Sequence, residues 1–291
     1  HPDLFRATIG GMGLTGHILE VEFGMRRIPS QWIWQESRRI HNIDEFQDAL
    51  EDAAPEWPYT MGWIDCLARG KNMGRGIMMT GRWADPSEAP VNRPSPGLQP
   101  SLRFDWPSWV LNGVTIRLFN ELYYRKQWRR ESSGIVSNQS FTYPLDSIRS
   151  WNRMYGRRGF TQYQCVLPRE AGRSSARRVL EVLTARGGAS FLCVIKDFGR
   201  ESRGVLSFPR PGITLALDIA VRDDTQDLID ALNEQVLQEG GRIYLAKDSF
   251  TRREHFEAME GPRLEEFRAI RDRWDPERRF RSAQSERLLG D

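Results

Sequence analysis

Residues 160–249 repeat one pattern twice, and that repetition limits the folds open to the chain more than any other feature. FTQYQCVLP, SSARRVLEVLTARGG and ASFLCVIKDF read as strand, helix and strand. GITLALDIAV, DTQDLIDALNEQVLQEGG and GRIYLAKDS read the same way. In the first helix Ala176, Val179, Leu180 and Leu183 share a face, and glycines follow the end of both helices. Two such units in succession, joined by the turn-rich FGRESRGVLSFPRPG, predict an α+β layer: a mostly antiparallel sheet with helices on one face. The opposite face is then free for a ligand.

That free face is polar where a core strand would be apolar. Successive strand residues point to opposite sides, so Gln162 and Gln164 point together, away from Tyr163, Cys165 and Leu167. Lys196 shares a face with Leu192, Val194 and Phe198. In the next strand Leu215, Leu217, Ile219 and Val221 form a core face, which leaves Thr214, Ala216, Asp218 and Ala220, all small or polar, on the other. Lys247 follows the apolar RIYLA. Taken singly, each polar residue reads as solvent-facing or at a strand edge. Together they outline the wall of a polar ligand pocket with two lysines and two glutamines.

Upstream, SQWIWQES alternates, NIDEFQDALEDA is a helix capped by Asn42, and YTMGWIDCLA and RGIMMTGRW read as strands. Six of the sixteen prolines lie between Trp83 and Pro107, a density that excludes regular structure and predicts a long mobile loop of the kind used as a lid or binding loop. YYRKQWRRES sets aromatics among Arg125, Lys126, Arg129 and Arg130, a composition that a phosphate or membrane-surface contact uses, though a solvated face is its commoner explanation. ATIGGMGLTGHILEVEF carries the G-x-G-x-x-G spacing at Gly11, Gly13 and Gly16. A dinucleotide fold needs a helix after those glycines, whereas Ile18 to Met25 alternate with period two, so the stretch predicts a tight turn between two strands.

Hydrophobic residues make up 39% of the 291 and aromatics 11%, ten of them tryptophan, enough apolar surface to order the chain. Forty-two basic residues stand against 39 acidic ones, a balance that argues against a dedicated nucleic-acid binder. Three scattered cysteines exclude a disulfide framework and a zinc site, and are expected as reduced core thiols; no metal is expected. No apolar run reaches the length of a membrane span, and no signal peptide opens the sequence. The start at HPDLFRATIGG, without methionine, is expected to be the remainder of a longer protein.

In order and approximate spacing, FRATIGGMGLTG, WIDCLARGKNMGRG, ELYYRK, YPLDSIRSWNRMYGRRGFTQYQCVLP, SFLCVIKDFG, LSFPRPGITLALDI, GGRIYLAKDS and DPERRFRS resemble the C-terminal portion of the decaprenylphosphoryl-ribose oxidase family of vanillyl-alcohol-oxidase-type FAD flavoproteins. The resemblance spans nearly the whole chain. It implies that residues 1–30 end an FAD-binding domain of PCMH-type α+β fold, that 31–241 form the substrate-binding domain, and that 242–291 return to the FAD domain. The family's pyrophosphate loop would lie upstream of His1.

By the same resemblance Gly16, His17 and Tyr244 contact FAD, and Lys247 is the catalytic lysine beside flavin and substrate. Gln162, Gln164, Lys196, Trp63, Thr214, Ala216 and Thr142 match substrate-pocket positions. His17 replaces an aliphatic residue of the relative compared, Thr214 and Ala216 stand in place of asparagine and cysteine, and Thr142 in place of tyrosine. Trp63, one of ten tryptophans, has a competing reading as core, and Lys247 one as an exposed strand-end lysine.

The implied activity is oxidation of the 2′-hydroxyl of a polyprenyl-phosphoryl ribose to a ketone, the first half of epimerisation to the arabinose form used for cell-wall arabinan. A short-chain-type ketone reductase would be the partner, and the location peripheral, on the cytoplasmic or periplasmic face of the inner membrane. Two rivals stand beside this reading. One is an aldonolactone-type sugar oxidase with a soluble substrate; the other is a non-catalytic ligand-binding fragment, basic and aromatic enough to hold single-stranded nucleic acid.

Overall fold

The computed structural model describes residues 1–94, 99–107, 110–188, 190 and 192–291, and of 145 and 146 the backbone only. The described strands are β1 (Trp32–Ile40), β2 (Tyr59–Ile64), β3 (Gly76–Trp83), β4 (Glu131–Ser137), β5 (Phe160–Pro168), β6 (Cys193–Phe198), β7 (Gly212–Ala220) and β8 (Arg242–Ile243). They form one sheet in the order β4-β1-β3-β2-β6-β7-β5-β8, with every neighbouring pair antiparallel. The described helices are α1 (Pro2–Thr8), α2 (Ile43–Ala53), α3 (Gly113–Lys126), α4 (Asn138–Thr142), α5 (Ser174–Ala185), α6 (Thr225–Gln238), α7 (Arg253–Glu260), α8 (Pro262–Trp274) and α9 (Ala283–Leu289).

One face of the sheet is closed by α2, α5 and α6. Asn42 starts α2 as expected, its side-chain oxygen accepting from the amides of Asp44 at 3.0 Å and Glu45 at 2.9 Å. Phe46 and Leu50 of α2, Val179, Leu180 and Leu183 of α5, and Leu232 and Val236 of α6 are buried against Cys165, Ile195, Leu215 and Leu217. Each such leucine or valine contributes about 1.5–3 kcal/mol by leaving water, so this interface fixes which side of each strand faces inward. The helices on one face of an antiparallel sheet are those the alternation predicted.

A second core joins both ends of the chain. Ala7 of α1 and Leu14 pack with Phe256 of α7, Leu264, Phe267 and Ile270 of α8, and Leu288 of α9. Val205 and Leu206, from the linker between the two strand-helix-strand units, complete it. A polar chain ties this region to the sheet: Tyr163 donates to Asn233 Oδ1 at 3.0 Å, and Asn233 Nδ2 reaches Thr251 at 3.1 Å.

Several expectations are corrected. The glycine-rich stretch lies between helix α1 and an extended segment, not between two strands. Gly11 is required there because a Cβ would fall 2.1 Å from the Ala7 carbonyl oxygen. Residues 18–25 alternate in sequence yet carry no strand, and Leu19, Val21, Phe23 and Met25 are exposed. Alternation makes a strand only where another strand supplies the hydrogen bonds, and no described strand does so.

GRIYLAKDS shortens to β8 followed by a single 3₁₀ turn over Leu245–Lys247, so Lys247 sits in a turn and not at a strand end. Both α3 and β4 went unread. The proline-rich segment, where described, carries no helix or strand beyond an isolated bridge between Ser101 and Arg149, and residues 95–98 within it lie outside the described residues. Ala189 and Phe191, expected to begin β6, also lie outside them.

Candidate functional site

Register across the open face lines up the pocket. Trp63 of β2 lies opposite Val194 of β6, Val194 opposite Ala216 of β7, and Ala216 opposite Gln164 of β5. One step along, Lys196 faces Thr214; one step back, Gln162 faces Asp218. Directly paired residues point to the same side. Gln162, Gln164, Lys196, Thr214, Ala216 and Lys247 accordingly line one pocket of about 100 Å³. Six of the residues expected at a substrate or catalytic site converge there.

Asp218, noted in the sequence only as a polar residue, lines the same pocket and is 3% exposed. It accepts from Gln162 Nε2 at 2.9 Å, while the Tyr155 hydroxyl approaches it at 3.5 Å. Burial pushes its carboxyl up to about 6, against the opposing effects of the Gln162 hydrogen bond, the Lys247 charge and Tyr155. Lys196 moves the other way: burial, reinforced by the nearby Lys247 ammonium, lowers it from the ordinary lysine value. Neither lysine forms an ion pair among the described residues. Gln164 donates to the Thr214 hydroxyl at 3.1 Å, and that hydroxyl donates to the Cys165 carbonyl at 2.7 Å. The wall thus offers two ammonium groups, two oriented amides and one carboxyl to a polar ligand.

The remaining expected residues are placed differently. Trp63 is buried, with its ring edge-on to Tyr123 at 4.7 Å, and it lines a second, apolar cavity of about 480 Å³. Leu192 and Val194 line both cavities, so the two adjoin. Thr142 reaches neither cavity, because its hydroxyl turns back to Asn138 Oδ1 of the same short helix at 2.9 Å; its neighbours Ser140 and Phe141 line the apolar cavity instead.

Tyr244 extends the β5 pairing, its amide donating to the Gln164 carbonyl at 2.8 Å, and its ring stacks on Phe208 at 4.8 Å. Gly16, at φ +135°, and His17, edge-on to Phe280 at 5.2 Å, lie in the extended N-terminal segment and not on the pocket wall. All three cysteines are free and buried behind the sheet, and no group of metal-ligating side chains occurs among the described residues. No described helix is long and apolar enough to cross a membrane.

No family model matches the chain. A Mycolicibacterium smegmatis protein named decaprenylphosphoryl-beta-D-ribose oxidase is 33% identical to it over an alignment of 297 positions that covers 98% of this chain and 63% of that protein. An uncharacterised Streptomyces coelicolor protein from the mprA 5′ region is 32% identical over an alignment of 305 positions that covers 98% of this chain and 80% of that one. Among solved structures, BBE-like 28 from Arabidopsis thaliana aligns with 98% of this chain and 62% of its own at a TM-score of 0.51 and 12% identity. A berberine bridge enzyme variant described as a reticuline dehydrogenase aligns with 99% of this chain and 61% of its own, at a TM-score of 0.50 and 12% identity. At that identity the two structures show a shared fold. The chain spans somewhat less than two thirds of the Mycolicibacterium relative.

Proposed function

We propose, from its likeness to the Mycolicibacterium protein, that the chain belongs to the decaprenylphosphoryl-ribose oxidase family and supplies the substrate-facing part of an FAD-dependent oxidoreductase acting on the 2′-hydroxyl of a polyprenyl-phosphoryl ribose. The observation that carries the proposal is the convergence of Lys196, Lys247, Gln162, Gln164 and Asp218 on one small pocket. In this reading residues 1–30 and 242–291 belong to the FAD-binding domain and 31–241 to the substrate domain. The shared core of Ala7, Leu14, Phe256, Phe267 and Leu288 supports grouping the two ends.

The donor set fits a flavin. Lys196 and Lys247, neither of them in an ion pair among the described residues, stand on one wall with Thr214 and Ala216 and offer donors to the oxygens of such a ring. Gly16, His17 and Tyr244 are the further residues assigned to it. Bound FAD would supply the acceptor for the carbinol hydride.

The chain's own groups handle the rest. Lys196 meets the substrate phosphate, whose charge restores the proton affinity that burial removes. The glutamines bond sugar hydroxyls, and Trp63 walls the adjoining apolar cavity. Lys247 binds the reacting oxygen and stabilises the developing alkoxide, while Asp218 is placed to hold the departing proton. The product ketone would pass to a separate reductase of the short-chain type, completing epimerisation to the arabinose form, and the enzyme would work at the membrane face where such a lipid resides.

The test is anaerobic flavin bleaching in the full-length protein on addition of polyprenyl-phosphoryl ribose. Lys247→Met is expected to slow bleaching about 10²–10⁴-fold while keeping the flavin band. Bleaching by a soluble lactone alone, or an unaltered rate in the Lys247 variant, would overturn the assignment.

A further inference from the structure

Helix α3 is apolar on two sides. Its inner side, through Ile116, Phe119 and Tyr123, walls the apolar cavity of about 480 Å³. Its outer side carries Val114, Leu118 and Leu122, spaced four apart and exposed at 75%, 61% and 62%, and Trp128 follows at 74%. A stripe of this kind on a soluble surface marks an interaction site when its members are contiguous, as the four-residue spacing makes them here.

The surrounding charge says what covers it. Residues 113–130 hold five cations, Arg117, Arg125, Lys126, Arg129 and Arg130, against the single carboxylate of Glu121. Glu121 is already shared between Arg75 at 2.6 Å and Arg125 at 2.5 Å. Arg117, Lys126 and Arg129 form no ion pair among the described residues; Lys126 lies over the Tyr123 ring at 5.9 Å and Arg129 over Trp128 at 4.8 Å. Exposed leucines and unpaired cations on one helix, with an exposed tryptophan and a further cation just after its end, make up the surface that seats in the headgroup layer of an anionic membrane.

We propose that the outer face of α3 docks on an anionic lipid bilayer, so that the helix stands between the membrane and the apolar cavity and a prenyl chain can pass from one to the other. This rests on the polyprenyl-phosphate reading above. The polar pocket takes the phosphorylated sugar, Leu192 and Val194 form the threshold that both cavities share, and the apolar cavity takes the first isoprenoid units. Each methylene lodged there tightens binding about fourfold.

The experiment is cosedimentation of the flavin-loaded, full-length protein with vesicles of phosphatidylcholine, with and without phosphatidylglycerol. Binding is expected with the anionic vesicles, weaker in high salt, and at least tenfold weaker in L118E/L122E. Because each cation near such a surface is worth about fivefold, R117Q/R129Q should weaken binding more than tenfold; these two side chains touch no core, so this variant decides the matter if the first does not fold. Bleaching by a short-chain, water-soluble substrate analogue should be unchanged in all variants, since none of these residues lines the pocket. Unaltered vesicle binding in both variants would overturn the proposal and leave the enzymatic reading standing. So would a change in oligomeric mass in L118E/L122E, which would identify a second copy as the cover. Normal vesicle binding without bleaching by any polyprenyl-phosphoryl sugar would overturn the enzymatic reading alone.

Discussion

Asp218 works against the fold at neutral pH. Its carboxyl titrates at about 6 in the native pocket against an ordinary 3.8. Between those values the native state holds a proton that the unfolded chain has released, so stability falls as pH rises through the window and stays lower above it. About two pK units correspond to about 3 kcal/mol. Asp218→Asn should therefore raise the unfolding free energy by about 1–3 kcal/mol at pH 7.5 and leave it unaltered near pH 3.5, as read from urea melts at both pH values. The same variant should lose the acidic limb near pH 6 from the rate of flavin reduction, because the proton-holding group is gone. A gain in stability that is equal at both pH values would dissociate the carboxyl from this behaviour. The thiols lie at the opposite extreme. Burial pushes Cys66 and Cys165 up to about 12 and Cys193 well above its ordinary value. A thiol reagent at pH 8 should modify none of them in the native protein and all three in denaturant.

At the level of elements, the readable parts were those whose apolar period had a single partner. The helices α2, α5 and α6 and the strands β5, β6 and β7 each present one face to one core, so alternation and four-residue spacing sufficed. The same alternation gathered Gln162, Gln164, Lys196, Thr214 and Ala216 on one face before any pairing was known. It gave Asp218 no role, because its significance comes from Gln162 across the β5–β7 pairing, 56 residues away. Helix α3 escaped for the opposite reason: its apolar residues occupy both sides, which blurs a one-face period. Residues 18–25 had the period and lacked the partner. Thr142 was assigned by resemblance, and a short helix turns it aside. One close approach in this layer was invisible in sequence. A Cβ on Gly62 of β2 would fall 2.1 Å from the Phe46 ring of α2. Gly62→Ala should destabilise the protein by about 1–3 kcal/mol, measurable as a lower urea midpoint with the slope unchanged; a neutral result would mean that α2 shifts freely on the sheet.

Across the whole molecule, a buried polar chain ties the two cores together, and the C-terminal region holds a buried ion pair of its own. Arg271 of α8 is fully buried, paired with Asp291 at 2.8 Å and donating to the Phe280 carbonyl at 2.7 Å. Asp291→Ala would leave that guanidinium charged and uncompensated, at a cost of about 3–5 kcal/mol. Adding Arg271→Met should recover much of the loss, since an apolar side chain of similar length needs no counter-charge. Calorimetric melts of the single and double variants read both effects, and a double variant as unstable as the single would mean that packing, not charge, is what Arg271 supplies.

The division of β5, β6 and β7 into a core side and a pocket side bears on how readily new specificities can arise. Residues 162, 164, 194, 196, 214 and 216 face the pocket, while Tyr163, Cys165, Cys193, Ile195 and Leu215, which alternate with them, face the helices. A combinatorial library restricted to those six codons would sample new ligand surfaces while leaving the helix-packed layer untouched. Evolution has the same freedom, and descendants of one scaffold can diverge in what they accept at little risk to whether they fold.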